Sequence, residues 1–154
     1  MTRNFLTLLA SGGSAGLLAG AFAFQHLGGL APCALCLWQR WPHAAAVLIG
    51  LVALILAPRG ALLLVGALAA LASAAIGLYH TGVERTWWEG PSTCSSGSIG
   101  DLSPQELLNQ IMEAPLVRCD EVAWQMLGLS MASWNMVISL GLAVIWVMAA
   151  RTPR

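Results

Sequence analysis

Cys33-Ala34-Leu35-Cys36 places two thiols two residues apart, and Arg40 follows four positions after the second. In such a C-x-x-C pair the first thiol is often a stabilised thiolate, and the second closes a disulfide onto it. Residues at i and i+4 share a helix face, so the Arg40 guanidinium adds a permanent positive charge one turn from Cys36. That charge favours a thiolate or a reduced, electron-rich ring beside it. Two further cysteines, Cys94 and Cys119, stand 25 positions apart. A tight zinc site usually shows a second close pair of Cys or His, which this spacing lacks. A purely structural disulfide across two residues would restrict the unfolded chain little. The pattern predicts a redox dithiol with no bound metal.

The elements that hold these residues follow from composition. Hydrophobic residues make up 58% of the chain and charged ones 9%, against roughly 25% charged in an average soluble protein. That deficit places the chain in a membrane. Formal net charge is zero, lysine is absent and no basic stripe exists, which argues against a nucleic-acid partner. Four cysteines, an even number, suit a compartment where disulfides persist. About 20 apolar residues cross a bilayer, and four runs are long enough: residues 5–27, 37–57, 61–79 and 131–150. The expected fold is an all-α integral membrane four-helix bundle, one transmembrane domain over residues 1–154. The first run exceeds the 7–15 or so apolar residues of a signal peptide, so it is expected to stay as a span. Gly12, Gly16 and Gly20 repeat every four residues, a spacing that lets a neighbouring helix approach closely.

Four spans put both termini on one side. Arg3, Arg59, Arg151 and Arg154 fall on that side, which makes it the cytoplasm by the positive-inside rule. A short outer turn then carries Cys33 and Cys36, and a long outer loop over residues 80–130 carries Cys94 and Cys119. All seven acidic residues lie in that loop. All four cysteines thus reach one outer face, the oxidising periplasm in a bacterium. Within the loop, Ser103-Pro104-Gln105-Glu106 reads as a capping box with proline at the first helical position. Leu107, Leu108, Ile111 and Met112 continue it as a short amphipathic helix, expected to lie on the membrane surface or the bundle. The stretch from Gly90 to Gly97 is rich in Gly and Ser and predicts mobility at Cys94.

Several pieces together resemble one known family. Phe24-Gln25-His26 precedes the first cysteine, and Pro-Cys-x-Leu-Cys-x-x-Gln-Arg runs from Pro32 to Arg40. Tyr79-His80-Thr81 ends the third run, and Cys94 follows in the outer loop. Last come Cys119, Trp124, Gly128-Leu129, Met131 and Trp134. Over nearly its whole length the chain resembles the DsbB family (disulfide bond formation protein B). The outer loop departs most, since the family varies there around its cysteine pair. The resemblance implies a protein that reoxidises DsbA, a soluble periplasmic thioredoxin-fold oxidase, and passes the electrons to a membrane quinone. It implies that Cys94 and Cys119 form the loop disulfide, with Cys94 taking the mixed disulfide. Cys33 and Cys36 would reoxidise that pair and be reoxidised by ubiquinone or menaquinone. Arg40 and His80 match residues linked to quinone use, and Ile76 and Met131 match residues lining that site.

Redox arithmetic agrees with an external acceptor. DsbA is a strong oxidant at about −120 mV, and each 30 mV uphill costs about 1.4 kcal/mol in a two-electron couple. Four cysteines alone supply no net oxidising power over many turnovers. No haem-attachment motif and no G-x-G-x-x-G is present. A lipid-soluble quinone meets the need from within the bilayer, and Arg40 stands near the outer edge of the second span, where such a ring could dock. The same arginine could instead snorkel to headgroups. His26 and His43 read as interface or packing residues. Trp87, Trp88, Trp124 and Trp134 suit the aromatic belt, and Glu84, Arg85 and Glu89 a solvated face. Two other readings compete. A vitamin K epoxide reductase-like enzyme shares the chemistry but has its C-x-x-C after the loop cysteines. A non-catalytic metal-handling protein would hold metal and oxidise no thiols.

Overall fold

The structure, a computed structural model, describes residues 2–56, 60–92, 94, 103, 105, 108, 112 and 117–153. Four long helices form: α1 (Arg3–His26), α2 (Ala34–Leu56), α3 (Gly60–Glu84) and α4 (Met131–Arg151). Each is long and apolar enough to cross a membrane, so the chain is a multi-pass membrane protein. In a bilayer the helix satisfies every backbone donor and acceptor within its own segment. Side chains close the ends: Thr2 accepts from the Phe5 amide at 3.3 Å, and Ser130 accepts from the Ser133 amide at 3.2 Å. The helices pack in a ring, α1 on α2, α2 on α3, α3 on α4 and α4 back on α1, with α3 and α4 the most intimate pair. The expected outer helix beginning at Ser103, the Gly90–Gly97 stretch and Arg59 lie largely or wholly outside the described residues.

Two helix ends differ from the hydropathy reading. α2 begins at Ala34, so Cys36 sits in its first turn. α3 runs to Glu84, a full turn past the expected end at residue 79. Hydropathy falls at His80, but no proline occurs until Pro91, and the backbone continues through Gly82. Before α4 a two-stranded hairpin pairs β1 (Gln125–Met126) with β2 (Leu129–Ser130). Its connecting residues Leu127 and Gly128 both have positive φ, 52° and 77°. That is the conformation a two-residue hairpin turn needs to match strand twist.

The interior is built from small residues around one large ring. Leu6, Ala10, Ala46, Ala67, Ala70 and Ala143 bury together with Trp146. Lipid is as apolar as leucine, so helices associate through close packing rather than exclusion of oil from water. The glycines that admit close approach are not the expected stripe. A Cβ at Gly12, Gly16 or Gly20 would meet nothing within 4 Å, so that face of α1 looks away from the bundle. Periodicity located a small-residue stripe, but the neighbours decided which way α1 turned. Close contacts fall instead at Gly13, against Leu142, at Gly50, against Ser11 of α1, at Gly66, against Trp146, and at Gly77, against the backbone of α4. A Cβ at Gly66 would lie 2.8 Å from three atoms of the buried indole. Gly66→Ala is therefore expected to cost about 1–3 kcal/mol, as overpacking does. Thermal unfolding in detergent checks this, and an unchanged midpoint would contradict the packing.

Candidate active site

Both cysteine pairs meet at one end of the bundle. Cys33 directly precedes α2, and its Sγ lies 2.7 Å from Cys36 Sγ and accepts from the Cys36 amide at 3.2 Å. The first turn of α2 thus aims its free amides and positive dipole end at the sulfurs. Cys94 and Cys119 are joined in a disulfide with Cα atoms 5.3 Å apart. Cys33, Leu35, Val83, Cys94 and Cys119 form a single buried apolar cluster. The loop disulfide is buried, with Cys94 1% and Cys119 0% accessible. The hydrogen shared with Cys36, and then burial, push the Cys33 thiol above the usual range, and the Cys36 amide acts against that shift.

The extra turn of α3 brings three more groups to this cluster. His80, also buried, sets Nε2 3.6 Å from Cys33 Sγ and Nδ1 3.0 Å from Gln39 Nε2. Glu84, one turn further, places a carboxylate oxygen 3.9 Å from the same Nε2, with its side chain 6% exposed. The Ser130 hydroxyl, which caps α4, donates to that carboxylate. Glu84, expected on a solvated face, is instead an interior group. The signal that could have found it is its i+4 spacing from His80 on an unbroken helix. A carboxylate removed from water must be compensated, and the serine together with the positive end of α4 does so.

Arg40 takes a different direction. Its Nη1 donates to Gln25 Oε1 at 2.7 Å and its Nη2 to the Ala21 carbonyl at 3.3 Å, with the guanidinium 4.9 Å from the Phe22 ring centre. It leans on α1, while its buried Nε has no hydrogen-bond partner among the described residues. Ile76 lies one turn before His80 on α3, and Met131 opens α4; both are half-buried. Of the two readings for His43, interface or packing, the structure gives packing: it is buried and bonds Asn135 and Ser73. Sulfur atoms of Cys33 and Cys36 and a ring nitrogen of His80 all fall within 4.8 Å, so the dithiol and His80 together offer three donors to a thiophilic metal.

The sequence profile described as "Disulfide bond formation protein DsbB" matches residues 3–149, all four helices but for two terminal residues, and both cysteine pairs. The chain belongs to the DsbB family. Relatives named "Disulfide bond formation protein B" agree with it. That of Xanthomonas oryzae pv. oryzae (strain MAFF 311018) is 34% identical over 144 residues, covering 88% of this chain and 83% of its own. That of Pasteurella multocida (strain Pm70) is 34% identical, covering 87% and 81%. That of Methylococcus capsulatus (strain ATCC 33009 / NCIMB 11132 / Bath) is 36% identical, covering 83% and 82%. This DsbB-family chain is thus a four-helix membrane oxidoreductase of disulfide bond formation. The cluster suits the chemistry, because thiol–disulfide exchange needs an attacking thiolate brought to a disulfide sulfur.

Proposed function

We propose that this protein is a protein-dithiol:quinone oxidoreductase of the bacterial inner membrane. It reoxidises a DsbA-like periplasmic thioredoxin-fold oxidase and hands the electrons to ubiquinone or menaquinone. The observation that carries the reading is the burial of Cys33 in one cluster with the Cys94–Cys119 disulfide. Both termini are then cytoplasmic, the cysteines periplasmic, and residues 1–154 one transmembrane domain.

The partner's thiolate attacks Cys94 Sγ, the Cys94–Cys119 bond breaks, and Cys119 leaves as a thiolate. The partner's second thiolate then attacks its own sulfur of the mixed disulfide. The partner departs oxidised, and Cys94 and Cys119 remain as a dithiol. Cys119 shares its cluster with Cys33, so it attacks Cys33 Sγ of the oxidised C-x-x-C, and Cys36 is released as a thiolate. Cys94 then attacks Cys119, which restores the loop disulfide and leaves both electrons on Cys33 and Cys36. Because Cys94 starts buried, its sulfur must become accessible before the partner can reach it.

A quinone, when bound, takes up two electrons and two protons. Arg40 suits such a ring: its buried Nε is an unused donor, and Phe22 offers an aromatic face beside it. His80, Ile76 and Met131 would line the remaining side, and lipid gives the entry route. The test is to add the reduced DsbA-like partner to the purified protein with ubiquinone or menaquinone and follow the quinone absorbance. One quinone reduced per partner oxidised is expected. Partner oxidation without quinone reduction would sink the assignment.

A further inference from the structure

Gln39 belongs to the Pro-Cys-x-Leu-Cys-x-x-Gln-Arg stretch, yet the exchange steps above give it nothing to do. It is buried at the centre of a hydrogen-bond chain whose polarity can be read from one end. The Leu35 carbonyl can only accept, and the Gln39 amide approaches it at 3.2 Å, so that atom is the amide nitrogen Nε2. The second hydrogen of Nε2 then goes to His80 Nδ1 at 3.0 Å. Gln39 Oε1 is left to accept from Asn135 Nδ2 at 2.8 Å, and Asn135 Oδ1 accepts from His43 Nε2 at 2.9 Å. The far end agrees independently. Ser73 Oγ donates to the Gln39 carbonyl at 3.2 Å, so it too accepts from His43 Nε2 at 2.9 Å. His43 carries its proton on Nε2, and its Nδ1, which has no partner among the described residues, is a bare lone pair. The reversed chain would leave a buried orphan N–H there, which proteins rarely tolerate.

With Nδ1 occupied as an acceptor, neutral His80 must hold its proton on Nε2. That N–H faces Cys33 Sγ at 3.6 Å and the Glu84 carboxylate at 3.9 Å, and the ring also meets the backbone of Cys119. We propose that Gln39 is a positioning residue: it locks His80 in the Nε2–H tautomer, so that the imidazole donates to the Cys33 sulfur as charge builds there and to Glu84 when the sulfur is covalently bonded. His80 is then a hydrogen-bond donor to the reacting sulfur, not the base that removes its proton. The titratable groups around it are Cys33 and Cys36 at the start of α2, Arg40 further along α2, Glu84 on α3 and Asp120 beside Cys119. From α4 this network receives the neutral Ser133, Asn135 and Ser139, and from α1 Gln25 meets Arg40.

The inference deepens the function proposed above, but its first test needs no turnover, so the two can fail separately. Nitrogen-15 NMR of the full chain, labelled at histidine in detergent micelles, distinguishes protonated from bare ring nitrogens. The His80 signal is assigned by its loss in His80→Ala. His80 is expected as the Nε2–H tautomer; a proton on Nδ1, or a doubly protonated ring near neutral pH, overturns the proposal. Should His80→Ala fail to fold, loss of the other two signals in His26→Ala and His43→Ala assigns the His80 signal by elimination. The second test follows alkylation of Cys33 against pH in a Cys36→Ser background. Adding Gln39→Leu should mix the His80 tautomers and raise the alkylation midpoint by about one pH unit, the scale of one hydrogen bond to a charged group. Mixed tautomers with an unmoved midpoint would show that His80 does not serve Cys33.

Discussion

Replacing Cys33 by serine is expected to stop steady-state oxidation of the partner while sparing a single turnover. Cys33 is the member of the C-x-x-C buried against the loop disulfide, whereas Cys36 is half exposed. A serine hydroxyl can still accept from the Cys36 amide as Cys33 Sγ does at 3.2 Å, so the first turn of α2 should survive. It cannot form a sulfur–sulfur bond, so electrons that reach Cys119 have no onward route. The Cys94–Cys119 disulfide should therefore oxidise one equivalent of reduced partner and then halt. Steady-state turnover should fall by on the order of 10³-fold or more, as it does when a covalent nucleophile is removed. Stopped-flow measurement of partner oxidation with added quinone separates the burst from the steady rate. Continued turnover of Cys33→Ser near the normal rate would show that the loop pair is reoxidised without the C-x-x-C.

The largest loss of stability is expected for Trp146→Ala. Trp146 is wholly buried, the largest side chain of the inner cluster. Its ring lies against Gly66 at 2.8 Å and Gly50 at 3.5 Å, measured from the position a Cβ would take. Those glycines, on α3 and α2, leave the hollow that the indole of α4 fills. Its Nε1 has no hydrogen-bond partner among the described residues, so the substitution removes packing and little else. Backbones of four helices cannot all move in to close the void. Truncating a buried aromatic ring costs about 3–5 kcal/mol when the site cannot collapse. Unfolding in mixed micelles with increasing denaturing detergent reads this directly. A loss below about 1 kcal/mol would mean that the glycine-lined hollow collapses and does not hold the helices apart.

The amino-acid sequence by itself determined the four spans, because an apolar run of bilayer length is a local property that no neighbour can undo. It also determined the redox chemistry, since C-x-x-C spacing and a distant second pair survive any packing, and the Pro32–Arg40 stretch carried the family. What it could not determine is how each helix turns about its own axis. Gly12, Gly16 and Gly20 made a regular stripe but face away from the bundle, while Gly13, Gly50, Gly66 and Gly77, with no such regularity, take close contacts. The same limit hid Glu84, whose burial depends on Ser130, 46 positions later. It hid the role of Gln39, whose partners His80 and Asn135 lie 41 and 96 positions away. It also hid the burial of the loop disulfide, which depends on Leu35 and Val83 covering it. Composition within one helix specifies that it crosses the membrane. Rotation and hydrogen-bond polarity are set between helices, where each side chain's choice depends on all its neighbours at once, and only the tertiary structure decided them.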